Sequence, residues 1–217
     1  MAARRSTSRD LARISVFAAL IAALGLPGTL HLAGNAVPVT LQTLGVMLAA
    51  AILGARNGFL AVLTFEVLVL AGLPLLAGGR GGPAPFVGPS AGYLYGFLLG
   101  AVVIGVLAER VFRRGPGRID ALWWVVILGV GGVAVIYACG TGWLILRGAA
   151  VWPAVGANAI YLPGDLLKVA VAALVAGQVH RAYPGLLTRP ARSTRTGNRR
   201  PGSRAGHDFR NRPGTPS

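Results

Sequence analysis

Six apolar runs constrain this chain more than any other feature. They lie at residues 11–32, 39–55, 59–77, 91–112, 122–146 and 159–180, each near the length that crosses about 30 Å of hydrocarbon. In lipid, every backbone N–H and C=O must be satisfied within its own segment or a closed barrel, so runs of this length are expected to be α-helical. The sequence therefore predicts an all-α membrane protein with six transmembrane helices. The second run is the shortest and is opened by Pro38, and the fifth is long enough to tilt. Composition agrees: 54% of the 217 residues are hydrophobic and 12% are charged, against about 25% charged in an ordinary soluble domain.

The arginines set the topology, because short cytoplasmic loops hold the positive excess. Arg4, Arg5, Arg9 and Arg13 precede or open the first run, Arg56 falls between the second and third, Arg110, Arg113, Arg114 and Arg118 between the fourth and fifth, and the tail starts at Arg181. The alternate connections hold only Arg80 and Arg147. Both termini are thus expected to be cytoplasmic. A cleaved signal peptide is the rival for residues 1–33, but the run is long for one and no small-x-small cleavage site stands out. The chain divides into a basic cytoplasmic N-terminus (1–10), a six-helix membrane domain (11–182) and a basic cytoplasmic tail (183–217) expected to be disordered, since it has almost no large apolar side chains. Such a tail would attract anionic lipid headgroups. The net charge of +15 does not indicate a nucleic-acid partner, because the arginines are not set in a stripe with interleaved aromatics. The single cysteine, Cys139, is expected to serve helix packing.

Within the last run, Asp165 and Lys168 stand three positions apart, on one helical face with Tyr161 at i−4. If the helix begins at residue 159, Asp165 lies about 9 Å and Lys168 about 14 Å below its outer end. The plain structural account makes Pro163-Gly164 a chain break, Asp165 an N-cap and Lys168 its ion-pair partner. Charges in a span more often mark a polar site facing the bundle. Glu66, in the third run, is the other buried acid, and a direct pair with Lys168 would be stretched. The loop LPLLAGGRGGPAPFVGPSAGYLYG (residues 73–96) is rich in glycine and proline on the expected outer side, with Arg80 as its single charge. It is either a lid that brings backbone N–H groups to a ligand or a connector. Gly88-Pro89-Ser90-Ala91-Gly92 matches G-x-S-x-G in form, but that motif needs a preceding strand. No base is placed near Ser90, and no metal or nucleotide motif is present. No enzymatic activity, metal or cofactor is expected. Ala18, Ala19, Ala22 and Ala23 in the first run have a small-xxx-small spacing that allows close helix approach.

Four stretches together carry a resemblance: Val37-Pro38-Val39-Thr40-Leu41-Gln42-Thr43-Leu44; Gly72-Leu73-Pro74 with Ala77-Gly78-Gly79-Arg80-Gly81-Gly82; Gly88-Pro89-Ser90-Ala91-Gly92-Tyr93-Leu94; and Leu162-Pro163-Gly164-Asp165-Leu166-Leu167-Lys168. Over residues 10–182 the chain resembles the BioY family, the biotin-specific substrate-binding (S) components of energy-coupling factor transporters. The resemblance implies a biotin site near the outer face, under the 1–2 and 3–4 loops and against the last helix. Asp165 and Lys168 would lie in it, with Tyr161, Gly79, Arg80, Gln42 and Tyr93 as further candidates. It also implies partners, a transmembrane coupling protein and ABC-type ATPases, docked through Ala18, Ala19, Ala22 and Ala23, and a place in the bacterial cytoplasmic membrane. Glu66 and the basic tail inherit no role. The chemistry suits biotin: an aspartate accepts ureido N–H donors, and a lysine serves the ureido carbonyl or the carboxylate. The alternatives are an S component for another vitamin, or a proton-coupled secondary transporter that uses Glu66 and Asp165.

Overall fold

The computed structural model describes residues 8–26, 40–114, 120–183 and 186–187. Among these residues the fold is helical: α1 (Ser8–Ala23), α2 (Gln42–Leu70), α3 (Ala84–Val87), α4 (Ala91–Arg114), α5 (Ala121–Leu128), a π-helical stretch (Gly129–Ala134), α6 (Val135–Leu146), α7 (Val151–Gly156) and α8 (Leu162–Ala182). Four helical stretches are long and apolar enough to cross a membrane: Gln42–Leu70, Ala91–Arg113, Ala121–Leu146 and Leu162–Ala182. The protein is thus a multi-pass membrane protein. The expected tail lies outside the described residues from 188 onward, as do residues 27–39, which hold the expected end of the first run.

α2 spans both the second and third apolar runs without a loop between them. At Gly54 the backbone takes φ 79° and ψ −179°, a left-handed value that glycine tolerates and side-chain-bearing residues rarely adopt. The chain reverses there: a Cβ placed on Gly58 would lie 2.7 Å from the Ala50 Cα, although eight residues along a straight helix span about 12 Å. Glu109 of α4 caps the bend, its Oε1 accepting the Ala55 N–H at 3.0 Å. The expected third helix therefore starts earlier than 59, and it ends at Leu70 rather than 77, where Gly72 at φ 105° and then Pro74 stop it.

α4 is the central helix, packed on both α2 and α6. Close approach is made possible by small residues: Gly105 lies against the backbone of Gly54 and Ala55, and Gly96 against Ile136, the usual way that helices associate tightly in lipid. Fully buried alanines (Ala49, Ala50, Ala51, Ala61, Ala101, Ala108, Ala172 and Ala176) line these seams, with Phe65, Met47, Ile104 and Trp124 filling the wider gaps. Leu122, Trp123, Leu166, Leu167 and Leu174 point outward instead, as a lipid-facing surface requires.

α5, the π-helical stretch and α6 form one 26-residue helix. The wide turn carries Gly129-Val130-Gly131-Gly132-Val133-Ala134, and its glycines admit Ile104 at Gly131 and Met47 at Gly132. α8 packs on α2 and α5. At its far end His180 donates from Nε2 to the Ala51 carbonyl at 2.9 Å and stacks on Trp124 with ring centroids 5.2 Å apart.

Candidate functional site

The start of α8 differs from the sequence reading. Residues 157–161 form turns, and the helix opens at Leu162 with Tyr161 as N-cap and Pro163 within the first two positions. Pro163 breaks nothing there, because a first-turn N–H has no intrahelical acceptor in any case. Asp165 is not the N-cap. It sits in the first turn, about 4.5 Å from the helix start, with Lys168 about 9 Å in at 1.5 Å per residue, both shallower than expected. A first-turn carboxylate is favoured by the positive end of the helix dipole.

Both side chains are buried, with 4% and 7% of their residues' surface exposed. Lys168 Nζ donates to Asp165 Oδ1 at 2.7 Å, to the Thr40 carbonyl at 2.6 Å and to Thr43 Oγ1 at 3.1 Å. An ammonium has three donors, so each has found an acceptor. Asp165 Oδ1 also accepts from Thr43 Oγ1 at 3.3 Å, and Oδ2 accepts from the Tyr137 hydroxyl at 2.7 Å. A carboxylate offers about four lone-pair sites, and bonds among the described residues leave one on Oδ2. The cluster thus joins α8 to the start of α2 and to α6 through an ion pair with fully used donors and one spare acceptor site.

Thr40, Thr43 and Tyr137 were not singled out as site residues from the sequence. Hydroxyls are frequent in membrane spans, and only the assembled bundle shows that those of Thr43 and Tyr137 meet Asp165 and that the Thr40 carbonyl meets Lys168. A second chain of bonds lies at the same end of the bundle. The Tyr93 hydroxyl donates to Asn158 Oδ1 at 2.8 Å, and Asn158 Nδ2 donates to Thr141 Oγ1 at 2.7 Å. Asn158, also missed, fixes the turn that leads into α8. Tyr161 is buried in that turn.

Gln42 is buried at the start of α2. Its Nε2 donates to the Leu75 carbonyl at 3.0 Å, tying the glycine-rich loop to the start of α2. The loop is a folded strap rather than a loose connector: Leu76 and Arg80 form a bridge, and Gly78, Gly79 and Gly82 take φ of 77°, 70° and 77°. Gly79 has open space where its Cβ would be. Arg80 is partly buried, its Nε donating to the Ala77 carbonyl at 3.2 Å, and burial lowers its pKa from the ordinary value. No bond among the described residues links Arg80 or Tyr93 to Asp165.

Glu66 is 4% exposed, and its Oε1 has no hydrogen-bond partner among the described residues. It makes no pair with Lys168. Ser90 is buried, and the imidazole of His180, the one histidine among the described residues, is bonded to Ala51 at the opposite end of α8; His31 lies outside the described residues. Of the four alanines, Ala18 is buried, and all four line an apolar groove of about 440 Å³ between α1 and residues such as Thr64 and Leu68 of α2.

Comparison with known proteins bears on what such a cluster holds. The BioY family profile matches residues 1–185. The Biotin transporter BioY of Rhizobium etli is 42% identical over 189 residues, covering 86% of this chain and all of that protein. That of Rhodobacter capsulatus is 44% identical, covering 82% and 97%, and that of Thermotoga maritima is 37% identical, covering 77% and 94%. The structure superposes on the crystal structure of the S-component for biotin from an ECF-type ABC transporter with a TM-score of 0.76 at 26% identity, over 83% of this chain and 95% of that one. The similarity runs through every helix that contributes to the polar cluster, at nearly the full length of the relatives, and on that ground the chain belongs to the BioY family.

Proposed function

We propose that this protein is the biotin-binding component of a vitamin uptake system and delivers biotin across the membrane with an energy-coupling module. The observation that carries the reading is the buried Asp165–Lys168 pair, held by Thr40, Thr43 and Tyr137, in a chain whose relatives are biotin transporters. A buried charge pair with one unused acceptor site suits a ligand that offers N–H donors on an apolar body, with a few fixed polar groups giving orientation. Biotin is such a ligand. One ureido N–H meets the free site on Asp165 Oδ2. A biotin oxygen engages Lys168 when one of its three present acceptors gives way. Tyr93, Tyr161 and Gln42 border the site at the same end of the bundle. Gly79 and Arg80 belong to the strap that covers it, and the cost of desolvating Arg80 would be offset by the ligand's carboxylate.

The reading extends to topology and partners. The reversal at Gly54 supports six crossings, with α2 contributing two, and the arginine distribution supports cytoplasmic termini in a bacterial cytoplasmic membrane. The alanine-lined groove on α1 supports docking of a membrane coupling protein that works with ABC-type ATPases, and the basic tail supports contact with anionic lipids. Equilibrium binding of labelled biotin to the purified chain in lipid nanodiscs tests the function. Saturable binding that thiamine and riboflavin do not compete away is expected, and its absence would overturn the reading.

A further inference from the structure

The connection between α6 and α8 has the wrong surface for water. Its 15 residues from Arg147 to Tyr161 hold three polar side chains besides the Trp152 indole N–H: Arg147, Asn158 and the buried Tyr161. Asn158 is buried against Tyr93 and Thr141, whereas Arg147 is exposed and has its Nη1 donating to the Val87 carbonyl at 2.7 Å. Arg147 apart, what faces outward is apolar. Leu146 and Trp152 are each 83% exposed, and Val151, Val155 and Ile160 continue the patch. A soluble loop would present polar groups there, and a contiguous exposed apolar patch marks an interaction surface.

Helix length places this patch. From Trp123, half-exposed near the start of α5, to Leu146 there are 23 residues, or about 35 Å at 1.5 Å per residue. That distance slightly exceeds a hydrocarbon core of about 30 Å. Trp123 and the α6–α7 corner therefore fall at opposite edges of the bilayer, the level at which tryptophan is enriched because its ring is apolar and its N–H prefers the headgroups. At the head of α8, Leu162, Leu166 and Leu167 are exposed apolar side chains as well.

We propose that α7 lies in the membrane interface at the end of the bundle that holds the polar cluster, with Trp152 inserted among the lipid acyl chains, and that its partner is the bilayer itself. The anchor has a consequence for the site. Only the turn at 157–161 separates α7 from α8, and Asn158 ties that turn to Tyr93 and Thr141. Holding α7 at the interface thus fixes the height at which α8 begins and at which Asp165 is presented.

Wild-type protein and Trp152→Phe, reconstituted in phosphatidylcholine vesicles, isolate the emission of Trp152 by difference. Trp152 is exposed, so the replacement leaves the core intact. In vesicles whose acyl chains carry bromine near the headgroup, the difference emission is expected to lose most of its intensity. It should lose less when the bromine lies near the bilayer centre, and little on adding aqueous iodide. Quenching by iodide with no response to bromine would place Trp152 in water. Insensitivity to both quenchers would place it under another protein surface, a second copy or a partner. Either result overturns the proposal, and neither touches biotin binding, which is measured separately.

Discussion

The Asp165–Lys168 pair permits a test that separates stability from binding. Lys168→Met removes the ammonium and leaves Asp165 buried with Thr43 and Tyr137 as its remaining donors. Asp165→Asn leaves the ammonium with the Thr40 carbonyl, Thr43 and a neutral amide. Removing one partner of a buried pair costs about 3–5 kcal/mol, because the other charge stays uncompensated. For a chain of this size 1 kcal/mol moves Tm by about 2–4 °C, so each single variant is expected to melt about 6–20 °C lower. The double variant removes both charges, and an uncharged replacement of a buried pair is often near neutral. It is expected to melt above either single variant. Biotin binding should follow a different pattern. Loss of a hydrogen bond to a charged group costs about 1.5–3 kcal/mol, or about ten- to a hundredfold in Kd, and the double variant does not recover it. Thermal unfolding in detergent and equilibrium binding in nanodiscs read the two effects. Single losses of stability that simply add in the double variant would refute the coupled pair. Unchanged biotin affinity in the double variant would refute the site.

Three further outcomes are expected. Gly54→Ala forces a Cβ into a left-handed conformation within 2.7 Å of Glu109 Oε1, so it should destabilise by at least the roughly 1–2 kcal/mol of the backbone strain alone, read as a lowered Tm. Asn158→Ala leaves the Tyr93 and Thr141 hydroxyls without their partner, each costing about 1–3 kcal/mol if buried and unsatisfied. Calorimetry should show the loss, whereas Asn158→Gln should not reproduce the wild-type bonds. Glu66→Gln should leave biotin affinity and ATPase-dependent uptake unchanged, because Glu66 makes no bond to the polar cluster; uptake abolished by this change, or by an ionophore with ATP intact, would argue for proton coupling.

The charged residues of the candidate site were the legible part. Asp165 and Lys168 stand out because charges in a lipid-spanning run are costly, and their i, i+3 spacing already places them on one face. Their depth was less legible. Hydropathy extends the last helix back through Ala159-Ile160-Tyr161, since an apolar turn and an apolar helix have the same composition, and the extra turn placed Asp165 farther from the helix start than it is. Tyr137 and Thr43 escaped for another reason: each is one hydroxyl in an apolar segment, and its partner belongs to another helix. Gly54 is one of many glycines in the sequence, and a reversal within a single residue leaves no loop to notice. Arg56 marked the right end of the hairpin, but the bend itself came two residues earlier.

The π-helical stretch between α5 and α6 has a bearing on chain length. A π turn carries one residue more than the α-helix it interrupts, and one residue rotates everything beyond it by about 100°. That surplus lets Trp124 and Ile127 face the core while Tyr137, on the far side of Gly129–Ala134, faces Asp165. Deleting a single glycine there would restore regular α-helical bonding at little cost to the backbone, yet it would turn Tyr137 away from the carboxylate. The surplus residue acts as a phase setting between the half of the helix that packs the core and the half that meets the polar cluster, so counterpart chains one residue shorter at this point would need a different donor for the same aspartate.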